Sequence, residues 1–413
     1  MIYVTSYVAN KYSNGQLNLF DFIDGNYDES DFDSDDSVVC ADSATRTYKV
    51  LSSNDMKDET IKKFLRGSQY NFNNSNFNRY DYFGYLYNTL RMFNTRTASL
   101  KQFNRHDLYY SFSIPKKSHG WRKIDAPLDE LDSALRELKS IFETCFCAKY
   151  HTSAFAYVKK RNNIKCVQVH QGNNSRWFLK LDLSNFFGSI NPDFAMHMLL
   201  RIFPFSELSR DEYSRKVLRE AIELAFLDGG LPQGTPLSPM FTNLLMIPID
   251  YEISKSLREY NKENKTKIIY TRYADDFYIS SKYKFNHNEV LNIIETVFEY
   301  FSAPFVLNKT KTKFGSSAGK NWILGLMLNS QNNITIGHKK KKEFQAMLTS
   351  FVLDTKNNNN WSLEDLKHLE GYLSYYQSVE KETIDAIVKH LGAKFGVDIP
   401  KLITSEVKRA SSI

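Results

Sequence analysis

Two adjacent carboxylates interrupt a β-prone stretch in the second half of the chain. Asp275 and Asp276 lie between the runs 268–270 (Ile-Ile-Tyr) and 277–279 (Phe-Tyr-Ile). Aromatic and β-branched runs around a short polar break predict a β-hairpin that carries both carboxylates at an exposed tip. Adjacent anions repel each other, and carboxylate oxygens suit Mg²⁺. The pattern therefore points to a divalent cation at this tip.

A third carboxylate ends a mostly apolar stretch earlier in the chain. Residues 176–185 read RWFLKLDLSN, and an unpaired charge at Asp182 is unfavourable there unless it faces a cleft. One carboxylate on a strand and two on a neighbouring hairpin can hold two metal ions about 4 Å apart, as in phosphoryl transfer. From these residues alone, a solvated turn at 275–276 is an equal alternative.

The charge of the chain is unevenly distributed. The 413 residues, enough for two or three subdomains, carry a net charge of +7. Residues 1–60 hold four basic and 12 acidic residues, whereas the rest hold 50 basic and 35 acidic. A basic body is typical of nucleic-acid binders. The nine acidic residues within 21–42 predict a solvated segment, or one that mimics nucleic acid and shields a basic cleft.

The cysteines and apolar runs indicate a soluble protein of the cytoplasm. Cys145 and Cys147 are too close together for an ordinary zinc site, and no second pair follows, so buried thiols in a reducing compartment are expected. The N-terminus has no basic start and no apolar run. No apolar stretch approaches the roughly 20 residues that a membrane span needs.

Hydrophobic periodicity predicts the elements that must position the carboxylates. A strand pair with a basic turn is expected within 109–127. Helices are expected over 128–138, 194–228, 240–258 with a kink at Pro248, and 286–301. A further helix begins at a capping box formed by Ser362 and Asp365.

The sequence 273–276, Tyr-Ala-Asp-Asp, resembles the catalytic box of reverse transcriptases, and further boxes follow the order of that family from Phe112 onward. The resemblance implies an α+β right-hand polymerase fold with fingers and palm, built from an antiparallel sheet plus helices, and a helical thumb. It assigns 1–105 to an N-terminal extension, 106–180 to fingers, 181–330 to palm with finger insertions, and 331–413 to thumb and tail.

The resemblance assigns the chemistry to a small set of side chains. Asp182, Asp275 and Asp276 would bind two Mg²⁺ ions, with Mn²⁺ as an alternative, and the Leu183 carbonyl would add a ligand. Lys311 would protonate the departing pyrophosphate. Lys309 is the next choice, and solvated or phosphate-binding lysines are an equal alternative.

Nucleotide contacts also follow from the resemblance. Arg122 and Lys117, or Lys116 in its place, would grip the triphosphate, because a guanidinium binds phosphate oxygens in a fork. Phe187 would block the ribose 2′-hydroxyl and so select dNTPs, although one of the two adjacent phenylalanines is expected in the core. Gln233 matches a residue that lies near the nucleotide.

Template and primer contacts complete the assignment. Lys159, Lys160 and Arg161 would meet template phosphates. Gly234 would let backbone approach the template–primer, and Gly325 would permit a tight hairpin under the primer end.

The chain resembles compact bacterial enzymes, either retron or defence-associated (abortive-infection type) reverse transcriptases, which are related to group II intron enzymes. Residues 166–170 (Cys-Val-Gln-Val-His) and 323–325 (Ile-Leu-Gly) depart from the usual retron elements, which favours the defence type. His170 itself is expected to be packed or hydrogen-bonded. The implied partners are a structured non-coding RNA template, dNTPs and a cDNA product. A homo-oligomer or an accessory effector protein are further options.

Other functions stay open on the sequence. A retron enzyme would make multicopy single-stranded DNA, and a template-independent DNA polymerase would share the same boxes. An RNA polymerase is disfavoured by Phe187, and a nuclease would leave the box at 232–234 (Pro-Gln-Gly) unexplained. The non-enzyme alternative is an RNA-binding scaffold with a relict palm, which the retained carboxylates disfavour.

Overall fold

A computed structural model describes residues 79–116, 120–145, 150–317 and 323–412. The acidic segment at 21–42 and the candidate triphosphate ligand Lys117 lie outside these residues. The described residues combine helices with small β-sheets, in agreement with the expected α+β class.

The chain divides into two compact units that interleave along the sequence. The first contains the described residues up to Arg161 together with 181–277 and 286–312. The second contains 162–180, 278–285 and the described residues from Lys313 onward. The subdomain boundaries expected from the sequence stay a prediction.

Helices form the larger part of both units, with short 3₁₀ turns between some of them. They are α1 (Arg79–Arg96), α2 (Asp129–Cys145), α3 (Asn163–Gly172), α4 (Phe186–Ser189), α5 (Pro192–Leu199), α6 (Glu212–Ile222), α7 (Ser238–Leu245), α8 (Ile247–Asn264), α9 (His287–Tyr300), α10 (His338–Lys356), α11 (Leu363–Phe395) and α12 (Ile399–Ser411).

The strands of the described residues form three sheets. They are β1 (Tyr109–Pro115), β2 (Trp121–Pro127), β3 (Trp177–Ser184), β4 (Ile269–Tyr273), β5 (Asp276–Ser281), β6 (Val306–Leu307), β7 (Lys313–Ser316), β8 (Met327–Leu328) and β9 (Ile334–Thr335). Strands β1 and β2 pair antiparallel, as do β8 and β9. The central sheet has the order β4-β5-β3-β6, and β7 pairs with the first half of β3.

A chain of contacting aromatic rings lies in the core of the first unit. Phe305 contacts Phe186, Phe194 and Phe298 with ring centroids 5.3–5.5 Å apart. Phe298 in turn meets Phe277 edge-to-face. Such pairs add about 0.5–1.5 kcal/mol each beyond area burial. Phe186 and Phe277 are the sequence neighbours of the predicted site residues Phe187 and Asp276. The packing of these two rings therefore holds the backbone at both site residues.

The helices of the second unit follow their sequence signals closely. Ser362 caps α11 by accepting the backbone N–H of Asp365, so the predicted helix start at Ser362 is confirmed. The Asp365 carboxylate accepts the Ser362 hydroxyl rather than closing a capping box. The apolar stripe Leu366, Leu369 and Leu373 is buried. Helix α11 is kinked at Glu380, which has non-helical backbone angles.

Two expectations about local structure were wrong. The segment 240–258 forms α7 and α8 rather than one kinked helix, and Pro248 lies in the first turn of α8, where its missing N–H leaves no bond unmade. The 194–228 region is broken into shorter helical pieces. Across the described ranges, no helix combines the length and apolar character needed to cross a membrane.

Candidate active site

The end of β3 and the β4–β5 hairpin bring the predicted carboxylates together within the first unit. The backbone N–H of Leu183 donates to the carbonyl of Asp275 at 3.1 Å. Ala274 and Asp275 form the two-residue turn, and Asp276 opens β5. Asp182 therefore lies beside the hairpin, although 93 residues separate it from Asp275 in the sequence.

The hairpin tip is less exposed than the sequence suggested. Asp275 and Asp276 are both half-buried, and Asp182 is 7% exposed. The N–H and C=O of one strand residue point to the same edge, so the Leu183 carbonyl faces the same side as its bond to Asp275. This direction is compatible with the expected role of that carbonyl as a ligand.

Lys311 forms an ion pair with Asp182. Its Nζ lies 3.0 Å from Oδ1 and 3.1 Å from Oδ2 of the carboxylate. Asn308 positions the lysine: its N–H donates to the Asp182 carbonyl at 2.8 Å, and its Oδ1 accepts the Lys311 N–H. Lys309 is exposed. The loop after β6 therefore presents Lys311, the first choice from the sequence, to the carboxylate.

The charges around Asp275 disfavour its ionised form. Burial raises the pKa of Asp275, and the charges of Asp276 and Asp182 raise this pKa further. The backbone N–H of Asp275 and the ammonium of Lys311 act in the opposite direction. A further positive charge between these carboxylates would relieve the repulsion.

The three carboxylates are not arranged in this structure to enclose a metal ion. Within the described ranges, no three His, Cys, Asp or Glu side chains form a group that could hold a metal ion as they stand. The donor set nevertheless fits a hard divalent cation, because it offers carboxylate oxygens in a half-buried place where their charges repel. Asp182, Asp275 and Asp276 are the residues that would hold such a cation.

Arg272, three residues before Asp275, is a functional candidate that sequence reasoning missed. Its side chain is fully buried and forms an ion pair with Asp250, which is also fully buried. Its Nη1 also donates to the carbonyl of Ala274 in the turn at 3.2 Å. The available signal was an arginine in the middle of an apolar strand, where a charge requires a partner.

Phe187 and its neighbour Phe186 have different surroundings. Phe186 is buried in the aromatic core, whereas Phe187 is half-buried. The Phe187 carbonyl accepts the N–H of Leu231 at 3.1 Å. A Cβ on Gly230 would lie 2.3 Å from the Gly188 carbonyl oxygen, so glycine is required where these two loops meet. This glycine contact was also missed.

The Pro-Gln-Gly box packs against the β1–β2 hairpin. The N–H of Asp125 donates to the Gln233 carbonyl at 2.8 Å. Gly234 has φ +117, and a Cβ there would lie 2.8 Å from Ile124 and 3.0 Å from the Asp125 carbonyl oxygen. Gly234 is thus required by a close approach to β2, and its contact with a template–primer stays a prediction.

Two of the candidate triphosphate ligands, Arg122 and Lys116, belong to the described part of the β1–β2 hairpin. Arg122 is exposed on β2, opposite Ile114, and Lys116 is exposed at the end of β1. Burial raises the pKa of Tyr157, the charge of Asp275 raises it further, and Arg122 lowers it. Tyr157 is therefore within electrostatic range of both the hairpin tip and Arg122.

The basic segment 159–161 is not uniform. Lys159 and Lys160 are exposed, in a position open to phosphates. Arg161 is half-buried, and its Nη1 donates to the backbone carbonyls of His151 at 2.7 Å and Ala154 at 2.6 Å. In the structure Arg161 holds its own loop, and its contact with template phosphates stays a prediction.

The second unit contains Gly325 and His170. Gly325 has φ +78, and its carbonyl accepts the Nζ of Lys340 at 2.8 Å, which ties the turn before β8 to α10. His170 is fully buried with Nδ1 2.5 Å from the Ser280 hydroxyl oxygen, as expected of a packed and hydrogen-bonded histidine.

Comparison with known proteins gives concordant matches. A family model described as reverse transcriptase (RNA-dependent DNA polymerase) matches residues 114–347. The Retron Ec83 reverse transcriptase of Escherichia coli is 28% identical over 294 residues, which are 69% of this chain and 87% of the relative. The Retron Ec73 reverse transcriptase of the same species is 26% identical over 275 residues, 65% of this chain and 82% of the relative.

A solved structure of Candida albicans telomerase, in complex with a TWJ fragment of telomeric RNA, also aligns with the chain. The alignment has 14% identity and a TM-score of 0.39, and it covers 74% of this chain and 61% of the telomerase chain. The aligned part is thus less than two thirds of the telomerase.

Proposed function

This chain belongs to the reverse transcriptase (RNA-dependent DNA polymerase) family, and we propose that Asp182, Asp275 and Asp276 form the centre at which it copies RNA into DNA. The observation that carries the assignment is the hydrogen bond from Leu183 to the Asp275 carbonyl, which supports a shared site for the two carboxylate segments. A two-metal site for nucleotide transfer needs carboxylates close enough to share the ions, and this bond joins the two segments that carry them.

The proposed cofactor is a pair of Mg²⁺ ions, for which Mn²⁺ could substitute. Asp182, Asp275, Asp276 and the Leu183 carbonyl would hold them. When bound, they would neutralise the carboxylates and favour the deprotonated form of the primer 3′-hydroxyl.

The remaining chemistry is assigned to side chains of this chain. The primer 3′-hydroxyl loses its proton to solvent, its oxygen forms a bond to the α-phosphorus of a dNTP, and the bond from that phosphorus to the pyrophosphate oxygen breaks. Lys311, held against Asp182, donates a proton to the departing oxygen. Arg122 and Lys117 bind the triphosphate, and Gln233 lies near the nucleotide.

Sugar selection is assigned to Phe187, the less buried of two adjacent phenylalanines. A ring held against the sugar leaves no space for a 2′-hydroxyl, so dNTPs bind and NTPs do not. On the template side, Lys159 and Lys160 are the exposed cations best able to meet phosphates.

The proposed template is an associated structured RNA, and the proposed role is defence against phage. The relatives of highest similarity reported above are retron reverse transcriptases, so synthesis of multicopy single-stranded DNA is the second candidate. A cytoplasmic location belongs to the same proposal, since RNA and dNTPs are available there. A second copy of the chain or an effector protein are candidate partners.

The test uses the full chain purified with the nucleic acid that accompanies it. With Mg²⁺ and dNTPs it should extend DNA on RNA, and the product should be lost after RNase treatment of the template before synthesis. Sequencing of the bound RNA and of the product separates a defence RNA from a retron RNA. DNA synthesis that continues after complete removal of RNA would contradict an RNA template and favour template-independent synthesis.

A further inference from the structure

The Arg272 guanidinium is the centre of a buried polar network in the first unit. Its Nε and Nη2 donate to Oδ1 and Oδ2 of Asp250 at 2.8 and 2.7 Å. Its Nη1 donates to Oδ1 of Asn243 at 3.0 Å and to the carbonyl of Ala274 at 3.2 Å. Tyr270 completes the network by donating its hydroxyl to Asp250 at 2.7 Å.

The network reaches the catalytic turn directly. Ala274 has φ +57, a left-handed conformation that is unfavourable for any residue with a Cβ. The Arg272 contact is to the carbonyl of this same residue, which precedes Asp275. A charged donor on that carbonyl fixes the peptide plane between Ala274 and Asp275, and thereby the direction in which the Asp275 side chain leaves the backbone.

The same residue holds a second segment beside the turn. The Arg272 N–H donates to the Ser153 carbonyl at 2.6 Å, and the Phe155 N–H donates to the Arg272 carbonyl at 2.8 Å. Asn243, already bound to the guanidinium, donates its Nδ2 to the carbonyl of Ala156 at 2.6 Å. Segment 153–156 leads directly to Tyr157, whose pKa responds to Asp275.

We propose that Arg272 is a positioning residue for the polymerase reaction: through Ala274 it orients Asp275, and through Asn243 it fixes the neighbouring 153–156 segment. The inference rests on the proposed function of Asp275. Only a guanidinium suits this role, because one planar group donates to both oxygens of Asp250 and, on its other side, to two further acceptors. A lysine ammonium can keep the charge but cannot reproduce this planar set of bonds.

The alternative is that the Arg272–Asp250 pair only stabilises the core. The two roles differ in a double variant, Asp250→Leu with Arg272→Met. Replacing both members of a buried ion pair by apolar residues of similar volume is often neutral for stability, whereas removing one member is not. The double variant loses the bond to Ala274 and also leaves the Tyr270 hydroxyl without its Asp250 acceptor. An unpaired buried hydroxyl costs about 1–3 kcal/mol, so the variant should fold with only a moderately lower melting temperature.

The experiment measures kcat and KM for dNTP on an RNA template–primer, together with thermal melting. For the double variant and for Arg272→Lys, kcat should fall roughly 10- to 100-fold, as expected for a misplacement of about 1 Å at a reacting centre. KM for dNTP should change little. Hydrogen exchange of the backbone amides at 271–277 should become faster in both variants, a readout that does not require activity.

Glu252→Gln is the matched control. Glu252 is a buried carboxylate on α8, the helix that also carries Asp250. It forms an ion pair with Lys255 at 3.0 Å. This variant should leave kcat and the exchange at 271–277 unchanged, whatever it does to melting.

Three outcomes would overturn the inference: wild-type kcat in the folded double variant, unchanged exchange at the turn, or a double variant that does not fold, which would assign Arg272 to core stability. A wild-type protein that makes no DNA on RNA would instead reject the proposed function. The faster exchange at the turn would then still be expected, so the two failures are distinguishable.

Discussion

Lys311 places its ammonium within 3.1 Å of both carboxylate oxygens of Asp182, a residue 129 positions earlier in the chain. The lysine is 56% exposed, while the Asp182 side chain is 10% exposed. The contact thus joins a solvent-facing proton donor to the buried acidic end of β3. Because the ammonium is solvent-exposed and therefore screened by water, the pair contributes only about 0–1 kcal/mol to stability, so its significance lies in the chemistry.

Lys311→Ala should therefore lower kcat for DNA synthesis with little change in melting temperature. General acid catalysis contributes about 10²–10⁴-fold, so a loss of roughly 100-fold is expected. Single-turnover incorporation of one dNTP measures the step. Lys309→Ala is the comparator on the same loop, and a larger loss for Lys309 would transfer the acid role to that residue.

Asp275→Asn should abolish DNA synthesis without lowering stability. The pKa of Asp275 is raised in the folded state, so folding binds protons and the ionised carboxylate is a net cost at neutral pH. A neutral amide removes that cost, and the melting temperature at pH 7 should stay equal or rise. Residual synthesis near the wild-type rate would show that Asp275 is not in the active site.

Phe187→Ala should allow incorporation of NTPs, because removal of the ring opens space beside the sugar C2′. Primer extension with NTPs alone measures this change against extension with dNTPs. Phe186→Ala is the matched control: this buried ring should cost about 3–5 kcal/mol of stability and leave sugar selection intact. Equal NTP discrimination in wild type and Phe187→Ala would reject the steric gate.

Two buried histidines should make the protein less stable in mild acid. Burial lowers the pKa of His151 to about 4 and that of His170 to about 3. Both are neutral when folded but protonate near pH 6.5 when unfolded, so the unfolded state binds more protons below pH 6.5. The stabilisation that the two neutral histidines give is complete above pH 6.5. It decreases as the pH falls from 6.5 towards the pKa values of the folded state.

Each histidine should contribute up to about 1.4 kcal/mol per pH unit in that window. Urea unfolding between pH 7.5 and 5.5 measures the slope. His170→Gln keeps a polar group for Ser280. It should remove roughly half of the pH dependence of the unfolding free energy that the two histidines cause together. An unchanged slope in this variant would contradict a neutral buried His170.

Local sequence signals predicted much of the architecture. The β1–β2 hairpin, the strand that ends near Asp182 and the hairpin around 275–276 all carry apolar runs bounded by turns, which depend only on neighbouring residues. The helix start at Ser362 was predictable for the same reason. The expectation of a kink at Pro248 was wrong because a proline within a helical pattern can mark either a kink or the first turn of a new helix.

The sequence by itself determined which side chains are available for chemistry: the three carboxylates, the lysines after β6 and the paired phenylalanines. Tertiary structure decided their environment. In the tertiary structure the hairpin tip is half-buried and Lys311 pairs with Asp182. Arg161 donates to backbone carbonyls of its own loop, and Arg272 donates to the carbonyl of Ala274. These outcomes depend on burial and on charges from distant segments, and such long-range terms are set only when the chain packs.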